Sequence, residues 1–490
     1  MAGFRPLIGL LSVAIVGMVL LSWPPQSDAA GQADRNNRTR AAAAKLDLAQ
    51  VVSIAVSRNL RMADSRLAVQ EKEHQRREAF SDFFPSIDLS YTATADKYQQ
   101  QSFIQTFTGV QDSRRSSPFA GLVTRQIGVD SLGGAVVGPL PVTGTYPYRI
   151  DPYRQFSLVA TITQPLYTGG KLLNDYKYTR LGVDYSAIQF EVDRQDLILD
   201  VYQAYYQMVQ AQKLLEVAET SIRALQALKN QTTEFYKAGV VAKVDVLSTE
   251  GQLAQAMIQR TQAITDREKS RATLNLLLRY PQESPTQIVE DIAYRPNPYR
   301  VPEIYSTAAG NRLEIRQANI SVDQAMALVQ SSKADLLPSV SVQAMGSRVN
   351  DDWNTFDPEA ANDWRLQGVL SWSFDIFRRR ETVKERRASQ ARAFVAREQL
   401  VEQVMQEVKS AYLDMKRSES DIQNNRAAVE YRRENFRINQ ERYKEQVATY
   451  IEVLDAQRQL SQAEGDYYIS LVGYRINRAA LERKMGTLRR

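Results

Sequence analysis

The sequence predicts a mostly α protein with a transmembrane β-barrel: a long antiparallel coiled-coil α-barrel plus four strands per protomer, arranged as two internal repeats. Three observations predict this. Two very long stretches are almost free of helix breakers, four short segments alternate apolar with polar residues, and the chain matches itself at constant spacing.

The repeat sets the frame, because an overlooked one misassigns the whole fold. Tyr236-Lys237, Val240, Val246-Leu247, Gln252-Leu253 and Gln255-Ala256 recur 207 residues later as Tyr443-Lys444, Val447, Val453-Leu454, Gln459-Leu460 and Gln462-Ala463. Asp245 and Glu452 hold the charge in register. Upstream, Ser53, Ala55, Leu60, Val69 and Pro85-Ser86 match Ser306, Ala308, Leu313, Val322 and Pro338-Ser339, here at 253. The two offsets differ by 46, so the first half carries 46 extra residues, most simply within the Gly/Pro/Ser-rich stretch 99–154. The resulting division is a signal peptide over 1–29, an N-terminal segment over 30–45, a first repeat over 46–279, a Pro-rich linker over 280–302 and a second repeat over 303–488. Each repeat reads helix, strand, strand, long helix, turn, helix.

Strands are expected at about 86–98, 155–167, 339–349 and 364–375. Ile87, Leu89, Tyr91 and Ala93 alternate with Ser86, Asp88, Ser90 and Thr92; Phe156, Leu158, Ala160 and Ile162 with Ser157, Thr161 and Thr163; Val340, Val342 and Ala344 with Ser341 and Gln343; and Trp364, Leu366, Leu370, Trp372 and Phe374 with Arg365, Gln367, Ser371 and Ser373. Period two gives each strand one apolar and one polar face. Aliphatic and aromatic residues outside, with small polar groups inside, is the pattern of a membrane barrel with a wet lumen. Four strands do not close a barrel, and an open edge in lipid leaves backbone groups unpaired at several kcal/mol each. Copies must therefore associate, and two, three or four are all consistent with the arithmetic.

Lys171 to Lys237 contains no proline and one glycine, and Phe377 to Gln446 contains neither. At ~1.5 Å per residue each spans ~100 Å. Leu214, Ala218, Ser221, Leu225, Leu228, Thr232 and Phe235 step by fours and threes, as do Val453, Ala456, Leu460, Ala463, Tyr467, Ser470 and Tyr474. That is a coiled-coil seam. Helical tip turns are expected at about 237–243 and 445–450.

The N-terminus carries Arg5, an apolar run from Leu7 to Trp23, and Ser27-Asp28-Ala29-Ala30, the order of a secretory signal cleaved after Ala29. No cysteine is present, which excludes disulfides, thiolate metal sites and a lipid-modified N-terminal cysteine. The one histidine, His74, lies in a charged helical stretch and is expected to be solvated. This is poor equipment for an enzyme, and no cofactor, metal site or nucleic-acid partner is expected. Gly169-Gly170-Lys171 lacks the upstream glycine and the following Ser or Thr of a phosphate loop. Lys plus Arg number 62 against 56 Asp plus Glu, interleaved along helices, which marks solvated faces. The densest basic run, Arg378-Arg379-Arg380 with Lys384, Arg386 and Arg387, reads either as a wet helix start or as a contact for anionic headgroups.

These features together resemble the TolC family of outer-membrane efflux proteins over Leu46 to Leu488. The residues that carry the resemblance are the two tip segments, Tyr236-Lys237-Ala238-Gly239 through Leu247 and Tyr443-Lys444 through Asp455, together with the corner Gln164-Pro165-Leu166-Tyr167-Thr168-Gly169-Gly170-Lys171 and the Pro85-Ser86 and Pro338-Ser339 corners. The resemblance implies a homotrimer with a twelve-stranded barrel. It implies an exit duct for small molecules or polypeptides across the outer membrane of a Gram-negative bacterium. Its partners would be a periplasmic adaptor of the membrane fusion type, an inner-membrane transporter and outer-membrane lipid. It implies a periplasmic aperture at Glu452 and Asp455, with Asp245 in the repeated position. It also implies an adaptor-docking tip at Ala238, Gly239, Val240, Val241, Gln446, Val447 and Ala448. Tyr443 is expected to bond toward the other turn, at Asp245. Gln446 stands where the first turn has Gly239, and Ala448-Thr449 stand where some members place a basic residue, so no salt-bridge latch is expected. The chain stops at Arg490, so the family's C-terminal contribution to the mid-tunnel belt is expected to be largely missing. The 46 extra residues are expected to face outside the cell, with Phe103, Phe107, Tyr146 and Tyr148 at the barrel mouth. The competing reading is a periplasmic coiled-coil adaptor or tether, which explains the helices but not the strands.

Overall fold

A computed structural model describes residues 45–96, 124–129, 135–139, 153–296, 299–358 and 360–488. The signal segment, the residues at the expected barrel mouth and the rest of the extra stretch lie outside these, apart from a two-stranded antiparallel ribbon. That ribbon pairs β2 (Thr124–Val129) with β3 (Ala135–Pro139) inside what the sequence marks only as an insertion. The described chain forms two compact units, one of residues 45–76, Lys177–Ala327 and 385–488, the other of Arg77–Tyr176 and Leu328–Lys384.

The second unit is built on a four-stranded sheet of β1 (Ser86–Asp96), β4 (Tyr153–Tyr167), β5 (Ser339–Asn350) and β6 (Ala361–Ser371), in the order β1-β4-β5-β6 and antiparallel throughout. Residues opposite one another in a ladder share a face. The register pairs Ile87 with Ile162, Leu89 with Ala160 and Tyr91 with Leu158. It continues Ile162 to Ala344 and Ala160 to Gly346, then Ala344 to Leu366 and Gly346 to Trp364. All four apolar faces therefore fall on one side of one sheet. Arg348 breaks the pattern on that side, where its Nε donates to Asn362 Oδ1 at 2.6 Å. Ile87, Leu89, Trp364, Leu366 and Leu370 stay exposed, so this apolar face has no cover among the described residues. Among the described residues, β1 and β6 each keep one unpaired edge.

The other unit is helical. α1 (Leu48–Arg58) and α2 (Leu60–Ser81) precede the sheet, α3 (Lys171–Lys237) and α4 (Lys243–Leu278) follow β4, and α5 (Val301–Asn311) and α6 (Leu313–Ala334) precede β5. α7 (Ile376–Lys444) and α8 (Tyr450–Lys484) follow β6. The single helix expected before each pair of strands is broken in two, a correction to the sequence reading. The break falls at Asn59 and again at Arg312, both with extended ψ, 138° and 117°. The cause is a tertiary bond in each case. Asn59 Nδ2 donates to Leu277 O at 3.2 Å while its Oδ1 accepts from Arg61 N. Arg312 Nη1 donates to Lys484 O at 3.0 Å.

Two core clusters support the long helices. One is centred on Val51, Ala55, Leu197, Val201, Tyr205, Leu274 and Leu278, the other on Ile304, Ala308, Val404, Val408, Met415, Tyr474 and Leu481. Residues 280–296 form no helix or strand; Tyr205 and Tyr474 donate their hydroxyls to Val289 O and Arg295 O, which ties this segment down. Arg483 bonds Asp196 Oδ1 at 2.6 Å and Glu314 Oε1 at 2.9 Å, and Arg312 pairs with Glu407 at 3.0 Å. Both arginines are buried, and buried charge is tolerable only with such partners. Among the described residues no helix is long and apolar enough to cross a membrane.

Candidate functional site

The two helical turns, 238–242 and 445–449, have one construction. After α3, Gly239 takes φ 74°, Val240 N donates to Phe235 O at 2.9 Å and Gly239 N to Tyr236 O at 2.9 Å. After α7, Gln446 takes φ 58°, Val447 N donates to Arg442 O at 2.8 Å and Gln446 N to Tyr443 O at 3.1 Å. Both are Schellman closures, in which a left-handed residue lets the chain satisfy orphan carbonyls. Glycine adopts that conformation freely. Glutamine does so against its Cβ, at ~1–2 kcal/mol.

The helices that leave the turns start differently. α4 begins after Ala242, which offers no side-chain cap, and carries Asp245 in its first turn. α8 begins with a capping box: Glu452 N donates to Thr449 Oγ1 at 3.4 Å, and Thr449 N to Glu452 Oε1 at 3.2 Å. The Thr449 backbone N–H, and then its hydroxyl, hold the Glu452 carboxyl below the usual carboxylate range. Arg442 Nη1 stands 3.6 Å from Glu452 Oε2. Ala448 and Thr449 put no basic residue within the turn, but the sequence reading is corrected in that the preceding helix supplies a cation, Arg442, to Glu452. Asp455 turns along α8, bonding Arg458 at 2.7 Å and Gln459.

Tyr443 is 3% exposed and does not bond Asp245. This too corrects the sequence reading. Its hydroxyl meets Thr232 Oγ1 at 3.1 Å, and its ring meets Phe235 edge-on at 5.5 Å. Burial pushes the phenol above its usual range; the Thr232 bond opposes this and the nearby Asp245 charge adds to it. Leu228, Tyr443 and Val453 form a buried cluster with Phe235, Phe436, Tyr450 and Leu454 against it. Leu225, Leu253 and Ala256 form the next one, and above it Gln457 Nε2 donates to Ser221 Oγ at 2.8 Å. Thr232 and Ser221 of α3 are thus fastened to Tyr443 of α7 and Gln457 of α8, so α3 meets both helices of the second turn.

Glu452 is therefore exposed, Asp455 and Asp245 are half-buried, and Tyr443 is interior. Ala238, Gly239, Val240, Gln446 and Val447 are exposed, while Val241 and Ala448 are half-buried. Exposed Val244, Leu247 and Ile451 extend the apolar tip. Sequence reasoning placed Thr232 and Phe235 on a seam without a role, and passed over Arg442 entirely. The repeat is silent on it, because Phe235 occupies its position in the first half.

Residues 142–278 and 304–487 match the family model described as outer membrane efflux protein. The chain is similar to the outer membrane protein TolC of Escherichia coli K12, at 23% identity over 315 residues, 61% of this chain and 63% of that protein. It is also similar to nodulation protein T of Rhizobium leguminosarum bv. viciae, at 24% over 281 residues, 55% of this chain and 56% of that one. The matches thus span less than two thirds of these relatives. The CmeC outer membrane channel of Campylobacter jejuni superimposes with a TM-score of 0.69 at 16% identity, covering 90% of this chain and 86% of CmeC. VceC of Vibrio cholerae gives 0.69 at 14%, covering 90% and 96%. These likenesses speak to fold. The family match covers most of the chain, and it agrees with a sheet apolar on one face and with helices that end in paired tip turns: the chain belongs to the outer membrane efflux protein family, of the TolC type.

Proposed function

We propose that the chain is one protomer of a trimeric exit duct in the outer membrane of a Gram-negative bacterium, passing small molecules or polypeptides outward. A periplasmic adaptor docks on the tip, and an inner-membrane transporter supplies the energy. The observation that carries this reading is the sheet: one continuous apolar face and two unpaired edges, in a chain whose longest helices run 67 and 69 residues. A tether of two membranes has no use for such a sheet. Three copies close twelve strands and leave no edge in lipid.

The gate is assigned to the tips. Glu452 and Asp455 stand three apart on α8 and share a helix face. Three copies bring six carboxylates to one constriction, with Asp245 on the outer turn, and their field favours cations. The exposed Val240, Val447 and Ile451 supply an apolar docking surface for the adaptor. Single-channel recording on Glu452→Gln with Asp455→Asn tests the gate. The expected result is loss of cation preference and of block by multivalent cations added from the tip side. Unchanged selectivity would show that these carboxylates act only as helix caps and intrahelical bonds.

A further inference from the structure

The corner after β6 ends in exposed rings and then in arginines. Trp372, Phe374 and Phe377 are 52%, 69% and 87% exposed, and the first two stack on each other with centroids 4.7 Å apart. Arg378, Arg379, Arg380 and Lys384 follow directly on the first turns of α7, whose first turn holds no acidic residue. Partners within the chain are few. Arg378 touches Asp375, Arg379 touches Ser373 and Lys384 pairs with Glu381 at 2.8 Å. The Arg378 side chain is still 75% exposed and that of Lys384 69%. Positive charge at a helix N-terminus opposes the helix dipole, so helix stability does not account for the cluster.

Geometry locates the cluster at headgroup depth. Trp364 lies on the apolar face, and Trp372 stands eight residues on, directly past the end of β6 at Ser371. At ~3.4 Å per residue and a tilt of about 40°, that is ~20 Å of height, inside the ~25 Å apolar band of membrane barrels. The arginines begin six residues beyond Trp372, where the band has ended. The far end of the same strand pair is net acidic among the described residues, with Asp351, Asp352, Asp357 and Asp363 around the β5–β6 turn against Arg348 and Arg365. An anionic surface thus fits one end of the sheet and is repelled at the other.

We propose that Trp372, Phe374 and Phe377 with Arg378, Arg379 and Arg380 form a docking surface for an anionic phospholipid leaflet on the periplasmic side of the barrel. This rests on the membrane-barrel reading. The rings seat at the acyl boundary, and the guanidinium groups and Lys384 receive phosphate oxygens in bidentate or single hydrogen bonds.

The test uses the assembled full-length protein with Trp23→Phe, Trp353→Phe and Trp364→Phe, which leaves Trp372 to report. The probes are vesicles of brominated phosphatidylglycerol or brominated phosphatidylcholine at equal mole fraction. The phosphatidylglycerol should quench Trp372 preferentially, and the preference should shrink as salt is added. Arg378→Gln, Arg379→Gln, Arg380→Gln and Lys384→Gln together should abolish it, at up to about fivefold per residue. If that variant assembles poorly, the pair Arg380→Gln with Lys384→Gln, which leaves the Asp375 and Ser373 contacts intact, should halve the logarithm of the preference. Equal quenching by both lipids, a preference unchanged in the variants, or its loss to inorganic phosphate at the same phosphate concentration overturns the proposal. Quenching by neither lipid overturns the barrel reading itself.

Discussion

Gln446 holds the second tip turn in the left-handed region with a side chain that opposes it. Gln446→Gly removes that opposition and should slow opening of the turn, raising hydrogen-exchange protection of the Val447 amide about fivefold, for ~1 kcal/mol. The first turn provides the converse. A Cβ at Gly239 meets nothing within 4 Å, so Gly239→Ala costs backbone strain alone. It should lower protection of the Val240 amide by a similar factor. Glu452 adds a pH dependence. Its carboxyl is held below the usual range by the cap, so the stabilisation is complete above the unfolded value of about 4.3 and disappears as pH falls through the lower value in the folded tip. Exchange protection of the Glu452 amide, corrected for intrinsic rate, should fall across that acidic window. In Glu452→Gln, whose amide still completes the box, it should stay level. Loss of protection at neutral pH in the parent protein would contradict the assignment.

The strand-to-helix corner shows why element boundaries fall where they do. Gly169 and Gly170 take φ 65° and 87° between β4 and α3. A Cβ on Gly169 stands 2.8 Å from Ala334 O and 3.0 Å from Leu337 Cβ, whereas one on Gly170 has only the Asn174 amide at 3.7 Å. Both Gly→Ala changes incur the left-handed strain, ~1–2 kcal/mol, and Gly169→Ala adds overpacking of about 1–3 kcal/mol. The heat at which the assembled form dissociates in detergent should drop clearly more for Gly169→Ala than for Gly170→Ala. Equal losses would mean that the α6–β5 corner does not press on this turn. The corner was legible in the sequence as a glycine pair after alternating residues. The breaks at Asn59 and Arg312 were not, because each depends on a carbonyl about two hundred residues away by chain, or nearly so, on Leu277 or Lys484.

At the scale of the molecule, the two edges that β1 and β6 leave open among the described residues bear on the proposed assembly. Each unpaired backbone group in lipid costs several kcal/mol, so an inserted monomer should not persist. Native mass spectrometry from detergent should give a trimer and no pore-active monomer. A sharp monomer mass with retained conductance would remove the basis for the closed barrel.

What the sequence determined by itself was local and periodic. Alternation from Ile87 to Ala93 and from Trp364 to Leu370 set which face of each strand is apolar, and the near absence of breakers over 171–237 set helix length. Both are properties of neighbours along the chain. Only the tertiary structure decided that β4 pairs with β5 and joins the strands of both halves into one sheet, that Tyr443 bonds Thr232 rather than Asp245, and that Arg442 reaches Glu452. Those outcomes depend on which surfaces meet across long chain separations, where burial of a phenol or the pairing of a strand edge is settled by the partner's shape. No periodicity encodes that choice.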